Sequence, residues 1–556
     1  MTQNEEIKSF ISRFEERVAP VEKQVSEAWW NLATSGAEEA QRELVRAGTE
    51  YNELFADREE YSLVESWYMD RASIGDSLLG RQVEVLYKTY ASRQGDPEVL
   101  ARIEELEAQA NATYSNHRGA VGGAVAGENE IREILRSSED EDLRREAWEA
   151  SKTVGNVVEG TVRELARLRN QLAREAGYED HYHRSLDLQE IDAGELARTM
   201  GDLESATDAP FRALKEALDK SLREKFGVDN VMPWHLSDPF FQSCKQDPAS
   251  FPNPRGNSGD EARVDGSGGA DAGLDVDRFF RDGDLEALTR KTYDDMGLEV
   301  RDVLARSDLY GREGKSQHAF CLGVGREYPY DVRVLANIRP DSYWMETMLH
   351  EFGHAVYDKH INPKLPYLLR SIAHTNTTEA IALMMGSLAD DPDWLSSVAG
   401  VPESELDGNR EYIARREKAD RLVFTRWALV MFNFEQALYA DPDRDDLNDV
   451  WWDLVERLQL VERPPGRNEP DWAAKLHVAL APVYYHNYVL GHLIAAQLRN
   501  YLESYITRGP FYKNEAAGRY MLESFFGPGA REDWQSTVLR ATGEPLNPGY
   551  FVKSLY

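Results

Sequence analysis

The chain has 556 residues and a formal charge of −34 at pH 7, from 98 acidic against 64 basic side chains. Self-repulsion on this scale disfavours binding to nucleic acid or to an anionic membrane, so we expect neither as a partner. Hydrophobic residues make up 42% of the chain, which is enough for a packed core. No apolar run is long enough to cross a bilayer and the acidic N-terminus lacks a signal-peptide core, so we expect a soluble cytoplasmic protein.

Residues 1–240 are predicted to form an N-terminal helical lobe. In "LARIEELEAQANATYSNHRG" and "TVRELARLRNQLAREAGYEDHYHRSL", apolar residues recur at three- and four-residue intervals, as is typical of amphipathic helices. Gly177 stands at a plausible C-terminal end of the second of these helices. No fixed-period repeat is visible, which disfavours a solenoid.

The composition changes after this lobe. Residues 241–277 are rich in Gly, Pro, Asp and Ser, which predicts a loop or an insertion. Its aspartates lack the spacing of an EF-hand, so calcium binding there is disfavoured. Residues 278–556 return to helical patterning, apart from a hairpin predicted at 318–338 from "HAFCLGV" and "VRVLANI". The fold class is therefore mainly α with one small sheet.

The stretch "LHEFGHAVYDKH" contains the motif H-E-x-x-H at His350, Glu351 and His354. Two histidines four residues apart on a helix lie on one face, so both can reach one metal ion. Glu351 follows the first ligand directly and cannot easily bind the same ion. It is suited instead to accept a proton from a water molecule. Asp341 or Ser342 is expected to cap this helix.

A catalytic zinc ion needs a third protein ligand, and two residues compete for that role. His360 has the spacing of the H-E-x-x-H-x-x-G-x-x-H pattern, but Tyr357 stands where that pattern needs a glycine to turn the chain. A continued helix points His360 away from His350. Glu379 begins the next apolar helix and could reach the ion. Asn376 and Glu379 also have capping-box spacing, so a capping role is the alternative; we favour the ligand.

The motif HEFGH, with a glutamate 25 residues after its second histidine, resembles zinc oligopeptidases whose third ligand is a glutamate. The chain is similar to the thimet oligopeptidase and oligoendopeptidase F family and to angiotensin-converting-enzyme-like peptidyl-dipeptidases. "AAKLHVALAPVYYHNYVLGHLIAAQL" resembles the C-terminal signature of these enzymes, and "HAFCLGV" stands where their substrate-binding edge strand is expected. The resemblance covers roughly residues 318–498.

This resemblance implies a two-lobed helical metallopeptidase with a deep central groove, one Zn²⁺ per chain and oligopeptide substrates. Residues 278–556 would be the catalytic lobe. His350, His354 and Glu379 would bind the metal, and Glu351 would be the general base. The remaining site residues implied are two oxyanion donors, His477 and Tyr488, and five substrate-binding residues, His318, Ala319, Tyr484, Tyr485 and Lys475.

The sequence departs from the converting-enzyme type at two places. Leu383 stands where that type has an aspartate that orients a zinc-bound histidine. His486 and Asn487 stand between Tyr485 and Tyr488, where that type has an arginine associated with chloride activation.

Several alternatives stay open at this level. Tyr484 and Tyr488 also have the spacing of a core stripe, and a lysine such as Lys475 is most often solvated. A non-catalytic peptide-binding protein with the same fold is the alternative function, although the intact Glu351 counts against it. The acidic composition fits a salt-adapted protein or an ordinary acidic one, and the oligomeric state is open.

Overall fold

The computed structural model describes residues 2–244 and 276–555 of the chain. The fold is mainly helical, as predicted. The helices of the described residues are α1 (Gln3–Ser35), α2 (Glu38–Glu53), α3 (Arg58–Met69), α4 (Ser77–Ala91), α5 (Pro97–Asn116), α6 (Glu128–Ser137), α7 (Glu141–Glu175), α8 (His181–Leu188), α9 (Ala193–Phe226), α10 (Leu285–Asp294), α11 (Arg301–Arg306), α12 (Ser342–Lys359), α13 (Thr375–Gly386), α14 (Pro392–Ser397), α15 (Glu403–Leu406), α16 (Arg410–Ala440), α17 (Leu447–Gln459), α18 (Leu476–Leu480), α19 (Tyr485–Tyr501), α20 (Glu515–Met521), α21 (Trp534–Thr542) and α22 (Gly549–Ser554). Most of the predicted insertion at 241–277, with its aspartates, lies outside the described residues.

The described residues contain two antiparallel two-stranded sheets. The first pairs β1 (Gly119–Val121) with β2 (Ala124–Ala126), and the sequence did not predict it. The second pairs β3 (Phe320–Gly323) with β4 (Val332–Leu335), which confirms the hairpin predicted at 318–338.

The chain forms two compact units, and each combines separate segments of the sequence. The first unit comprises Met1–Gln94, Asp275–Asp407 and Leu490–Phe551, and the second comprises Gly95–Leu274, Gly408–Val489 and Val552–Tyr556. These bounds differ from those of the lobes expected at 1–240 and 278–556, and the division into those lobes stays a prediction.

The core of the first unit begins with the long helix α1. The apolar residues of α1 recur at three- and four-residue intervals and are buried against side chains of α3, α4 and the α2–α3 loop. Thr2 and Glu5 form a capping box at the N-terminal end of α1. The α1 side chains in this core are Ile7, Phe10, Ile11, Phe14 and Val18.

Helix α12 carries the H-E-x-x-H motif and packs closely against α13. The side chain of Asp341 accepts a hydrogen bond from the N–H of Trp344, which confirms the expected cap. A Cβ atom on Gly353 would lie 2.8 Å from the Cα of Ala382, so only glycine allows this approach of the two backbones. The helix continues through Tyr357 and ends at Lys359, as the missing glycine predicts.

Among the described residues, no helix has the combination of length and apolarity that crossing a membrane requires.

Candidate metal centre and active site

The two histidines of the motif present their Nε2 atoms to one point. His350 and His354 lie one turn apart on α12, and their Nε2 atoms are 3.3 Å apart. Ligands held tetrahedrally at about 2.1 Å from a zinc ion are roughly 3.4 Å from each other. The histidine pair therefore has the separation that a single ion requires.

Glu379 brings a carboxylate to the same point from α13. Its Oε2 atom lies 3.8 Å from Nε2 of His350, and the ligand atoms of His350, His354 and Glu379 all lie within 4.8 Å of one another. His360 is not in this group; it caps the C-terminal end of α12. Two histidine nitrogens and one carboxylate oxygen are the ligand set of a catalytic zinc site with an open fourth position.

The alternative role of Glu379, capping its own helix, is wrong. Helix α13 is capped by His374, whose Nδ1 accepts a hydrogen bond from the N–H of Asn376. The residue three positions after this cap is Thr377, whose side chain meets the backbone of His374. Oε2 of Glu379 is buried and has no hydrogen-bond partner among the described residues. A buried carboxylate oxygen without a partner is costly, so this observation favours a cation at the site.

The protonation of these groups fits the same conclusion. Burial lowers the pKa of His350 to about 4, and burial together with repulsion from His350 lowers the pKa of His354 well below its usual value. Burial raises the pKa of Glu379 to about 7. Neutral imidazoles are the form that binds a metal, and no positive charge among the described residues offsets the effect of burial on the pKa of Glu379.

Glu351 is buried on the same helix and lies beside the hairpin. Burial, followed by the negative charge of Glu379, raises the pKa of Glu351 to about 8, against the effect of a hydrogen bond from the backbone N–H of Cys321. This hydrogen bond fixes the carboxylate relative to β3. A carboxylate whose pKa lies near neutrality can both accept and return a proton, as a general base and acid must.

The substrate-binding residues expected on the hairpin lie directly before β3. His318 and Ala319 precede Phe320, the first residue of the strand. Their roles in binding stay a prediction.

Lys475, in the second unit, is buried rather than solvated. Its Nζ donates a 2.8 Å hydrogen bond to Oε1 of Gln242 and lies 5.5 Å from the ring centres of Phe240 and Trp427 and 5.9 Å from that of Tyr485. Burial lowers the pKa of Lys475 to about 8. The charge of Asp238 offsets part of this shift, but no carboxylate among the described residues lies within ion-pair distance of the ammonium group, so it can accept an anionic ligand.

The aromatic residues of the predicted signature lie close to one another in the same unit. The ring centroids of His477 and Tyr485 are 5.0 Å apart. That of Tyr488 is 5.2 Å from the centroid of Tyr484 and 5.6 Å from that of Tyr485. Burial, and then repulsion from Lys475, lowers the pKa of His477 to about 3, so its ring is neutral. Nδ1 of His477 is buried without a hydrogen-bond partner among the described residues. The roles of these residues as oxyanion donors and substrate contacts stay predictions.

A family comparison agrees with the site. Residues 1–228 and 326–547 match the model of the Peptidase_M2 family, described as angiotensin-converting enzyme. The chain belongs to the angiotensin-converting enzyme family. This family consists of zinc-dependent metallopeptidases, and the group of His350, His354 and Glu379 could hold the metal ion. The expected similarity to thimet oligopeptidase and oligoendopeptidase F stays a prediction.

The chain supports its candidate ligands differently from the pattern expected of the converting-enzyme type. Leu383 stands at the sequence position of the aspartate that orients a histidine in that type. Here the hydroxyl group of Thr378 contacts the histidine instead. Oγ1 of Thr378 lies 2.7 Å from Nδ1 of His354, which leaves Nε2 of His354 directed at the metal position.

At the second departure from that type, the side chains of His486 and Asn487 are also hydrogen-bonded. Oε1 of Gln189 accepts hydrogen bonds from both side chains, at 3.2 Å and 2.9 Å. Nε2 of Gln189 donates to the carbonyl of Val483, and the N–H of Val483 donates to the buried carboxyl group of Glu435. Val483 has a φ of +53°, which is unfavourable for a β-branched residue. Gln189 and Glu435 thus fix the turn that precedes the tyrosines.

Sequence reasoning missed the residues that support the site. These are Thr378, Gln242, Gln189, Glu435 and the backbone N–H of Cys321. Thr378 directly precedes Glu379, but one sequence gives no signal that its hydroxyl group meets a histidine on another helix. Gln242 and Gln189 are far in the chain from their partners, so no local spacing identifies them.

Proposed function

We propose that this protein is a zinc-dependent peptidase that hydrolyses short, unfolded oligopeptides, with one Zn²⁺ bound by His350, His354 and Glu379. The observation that carries this proposal is the convergence of these three ligand atoms beside Glu351, a buried glutamate on the same helix as the two histidines. Binding alone does not need a general base next to the metal, so Glu351 favours an enzyme over a peptide-binding protein with the same fold.

A bound zinc ion would polarise the peptide carbonyl group and lower the pKa of a water molecule. Glu351 accepts the proton of the attacking water on its carboxylate and then delivers it to the nitrogen of the leaving amine. The hydrogen bond from the N–H of Cys321 holds Glu351 in place during both steps. Thr378 keeps the ring of His354 oriented for the metal.

The resemblance to the family supports two further roles. His477 and Tyr488 are the proposed donors to the oxygen that becomes negative as the water attacks. Donors of this type typically contribute several kcal/mol to lowering the barrier.

The converting-enzyme branch, which releases dipeptides from the C-terminal end of a peptide, is the subtype we propose. Its support is Lys475, a buried cation whose hydrogen-bond partner among the described residues is the neutral side chain of Gln242. The C-terminal carboxylate of a peptide would complete the bonding of this ammonium group and recover part of its desolvation cost.

Digestion of defined peptides by the zinc-loaded protein tests this proposal. Peptides of five to fifteen residues would be offered with a free or an amidated C-terminus, and the fragments identified by mass spectrometry. We expect dipeptides from the C-terminal end of the free peptides and at least tenfold slower cleavage of the amidated ones.

The other outcomes separate the alternatives. Internal cleavage that ignores the C-terminus would replace the dipeptidase subtype by an oligoendopeptidase. Tight binding of peptides without any cleavage would favour the peptide-binding alternative and contradict an enzyme.

A further inference from the structure

Among the described residues, another segment covers one edge of the hairpin, and no strand pairs with the opposite edge. The N–H of Asp308 donates to the carbonyl of Val334, and the N–H of Ala336 donates to the carbonyl of Asp308, so Asp308 covers the outer edge of β4. Strand β3 pairs only with β4 among the described residues. The other edge of β3 is therefore available to an extended peptide, which can add to it as a further strand.

The register identifies which residues face this free edge. Val334 is paired with Cys321, but its N–H and carbonyl groups both bond on the opposite side, to Ser307 and Asp308. In an antiparallel pair, bonded and non-bonded positions alternate, so the N–H and carbonyl groups of Cys321 and Gly323 point to the free edge. The N–H of Cys321 donates to Glu351, which agrees with this direction, so the carbonyl of Cys321 and the N–H and carbonyl of Gly323 are the groups that a peptide strand would meet. The free edge thus passes directly beside the general base.

Asp358 lies next to this edge at Gly323, the strand residue two positions beyond Cys321. It is on α12, one turn after His354, and its Oδ2 atom is 3.7 Å from the position that a Cβ on Gly323 would occupy. Because residue 323 is a glycine, no side chain separates the carboxylate from the strand edge.

No cation among the described residues pairs with the carboxylate of Asp358. Its side chain is half-buried, and no hydrogen bond or ion pair ties it to another of the described residues. Cations on adjacent segments are paired with other carboxylates, since Lys359 binds Asp302 and Arg326 binds Glu22. Burial raises the pKa of Asp358 to about 7, and no neighbouring cation offsets this shift. A nearby positive charge would lower that pKa and stabilise the carboxylate.

We propose that Asp358 is a specificity-determining residue that selects peptides carrying a lysine or arginine side chain opposite Gly323. This inference rests on the proposed peptidase function and adds a substrate class to it. Two strand residues span about 6.6 Å. Because Glu351 marks the place where water attacks, the selected side chain belongs to a peptide residue within about three positions of the cleaved bond.

A positional scan of substrates tests this inference. One parent peptide would carry lysine, arginine, norleucine or glutamate in turn at each of the three positions on either side of the cleaved bond, with kcat/KM measured for each. For the wild-type enzyme we expect a preference for lysine or arginine over norleucine of about tenfold or more at one position, as charge-assisted hydrogen bonds typically give.

Two variants and a control assign the preference to Asp358. Asp358→Asn should reduce the ratio of basic to neutral substrates to less than about threefold, and Asp358→Glu should keep a preference for basic substrates. Glu327→Gln removes an exposed carboxylate from the same hairpin and should keep the wild-type ratio. If Asp358→Asn does not fold, as judged by thermal unfolding, the wild-type scan and Asp358→Glu still decide the question.

The failure of this inference is distinct from that of the proposed function. Cleavage without a basic preference at any position, or an unchanged ratio in Asp358→Asn, would overturn the role of Asp358 and leave the peptidase in place. No cleavage of any peptide by the zinc-loaded wild type would overturn both.

Discussion

Nδ1 of His354 lies 2.7 Å from the hydroxyl oxygen of Thr378, the residue directly before the candidate ligand Glu379. One short segment of α13 therefore supplies both a candidate metal-binding carboxylate and the partner that orients a candidate metal-binding imidazole. Hydrogen bonds to the second nitrogen of a ligand histidine fix its ring and raise its basicity.

Replacing Thr378 by valine should weaken zinc binding by about 10- to 100-fold, because it removes this hydrogen bond while conserving side-chain shape. Competition with a chelator of known affinity would measure the dissociation constant. Thr375→Val, in the first turn of the same helix, should bind zinc as tightly as the wild type. Equal affinities in Thr378→Val and the wild type would show that Thr378 does not support the metal.

Replacing Glu379 by glutamine should abolish the stabilisation of the protein by zinc. A ligand present at about 1,000 times its dissociation constant stabilises the folded state by about 4 kcal/mol, and this gain requires an intact site. The measurement is the rise in Tm on adding zinc to metal-free protein. Glu503→Gln, which changes a carboxylate paired with Arg499 in the same unit, should keep the rise. A full rise in Glu379→Gln would remove Glu379 from the ligand set.

The metal-free form of the same variant offers an independent check. Glu379 is buried with an oxygen that has no partner among the described residues, so its charge is costly when no metal is present. Metal-free Glu379→Gln should therefore be at least as stable as the metal-free wild type at pH 8. A clear loss of stability would indicate that Glu379 has a structural role instead.

Replacing Gly353 by alanine should destabilise the first unit by about 1–3 kcal/mol, a typical cost of overpacking. The added Cβ would lie 2.8 Å from the Cα of Ala382, and the backbone of α13 would have to move. Gly48→Ala is the matched control, because that helical glycine has no atom within 4 Å of its added Cβ and should gain up to about 1 kcal/mol. Midpoints of urea unfolding measure both, and opposite shifts are expected. An unchanged midpoint for Gly353→Ala would contradict the close approach of α12 and α13.

Replacing Lys475 by methionine should lower kcat/KM for peptides with a free C-terminus by at least tenfold and change that for amidated peptides much less. Lys152→Met is the matched control, because Lys152 is also buried and its Nζ lies 3.2 Å from the ring centre of Phe240. That variant should keep the wild-type ratio of free to amidated substrates. An equal loss on both substrates in Lys475→Met would point to a structural role of the lysine.

Much of the fold could be predicted because the relevant signals are local. The helical periodicity, the Asp341 cap and the absence of a glycine at Tyr357 each follow from neighbouring residues, and α12 has the expected cap and extent. The hairpin of β1 and β2 was missed because its strands have three residues each, too few for alternation to show. The two compact units also could not be predicted, since each joins segments that are distant in sequence.

The residues of the candidate site could likewise be predicted only where the signal is local. The spacing of H-E-x-x-H identified three side chains, and the next helix supplied Glu379. The capping alternative for Glu379 could not be eliminated from the sequence, because only the structure places the helix cap at His374. Thr378, Gln242 and the free edge of β3 depend on contacts between distant segments, and no residue pattern indicates such contacts.

We propose that Glu351 performs the proton transfers of a zinc-dependent peptidase. The most direct test compares peptide cleavage by the wild type and by Glu351→Gln at equal zinc content, measured by elemental analysis of the same samples. We expect one zinc per chain in both proteins and a loss of kcat of about 100-fold or more in Glu351→Gln, the usual contribution of a general base. Glu327→Gln, an exposed carboxylate on the hairpin, controls for the change of charge. Equal rates for Glu351→Gln and the wild type at equal zinc content would show that Glu351 is not the general base.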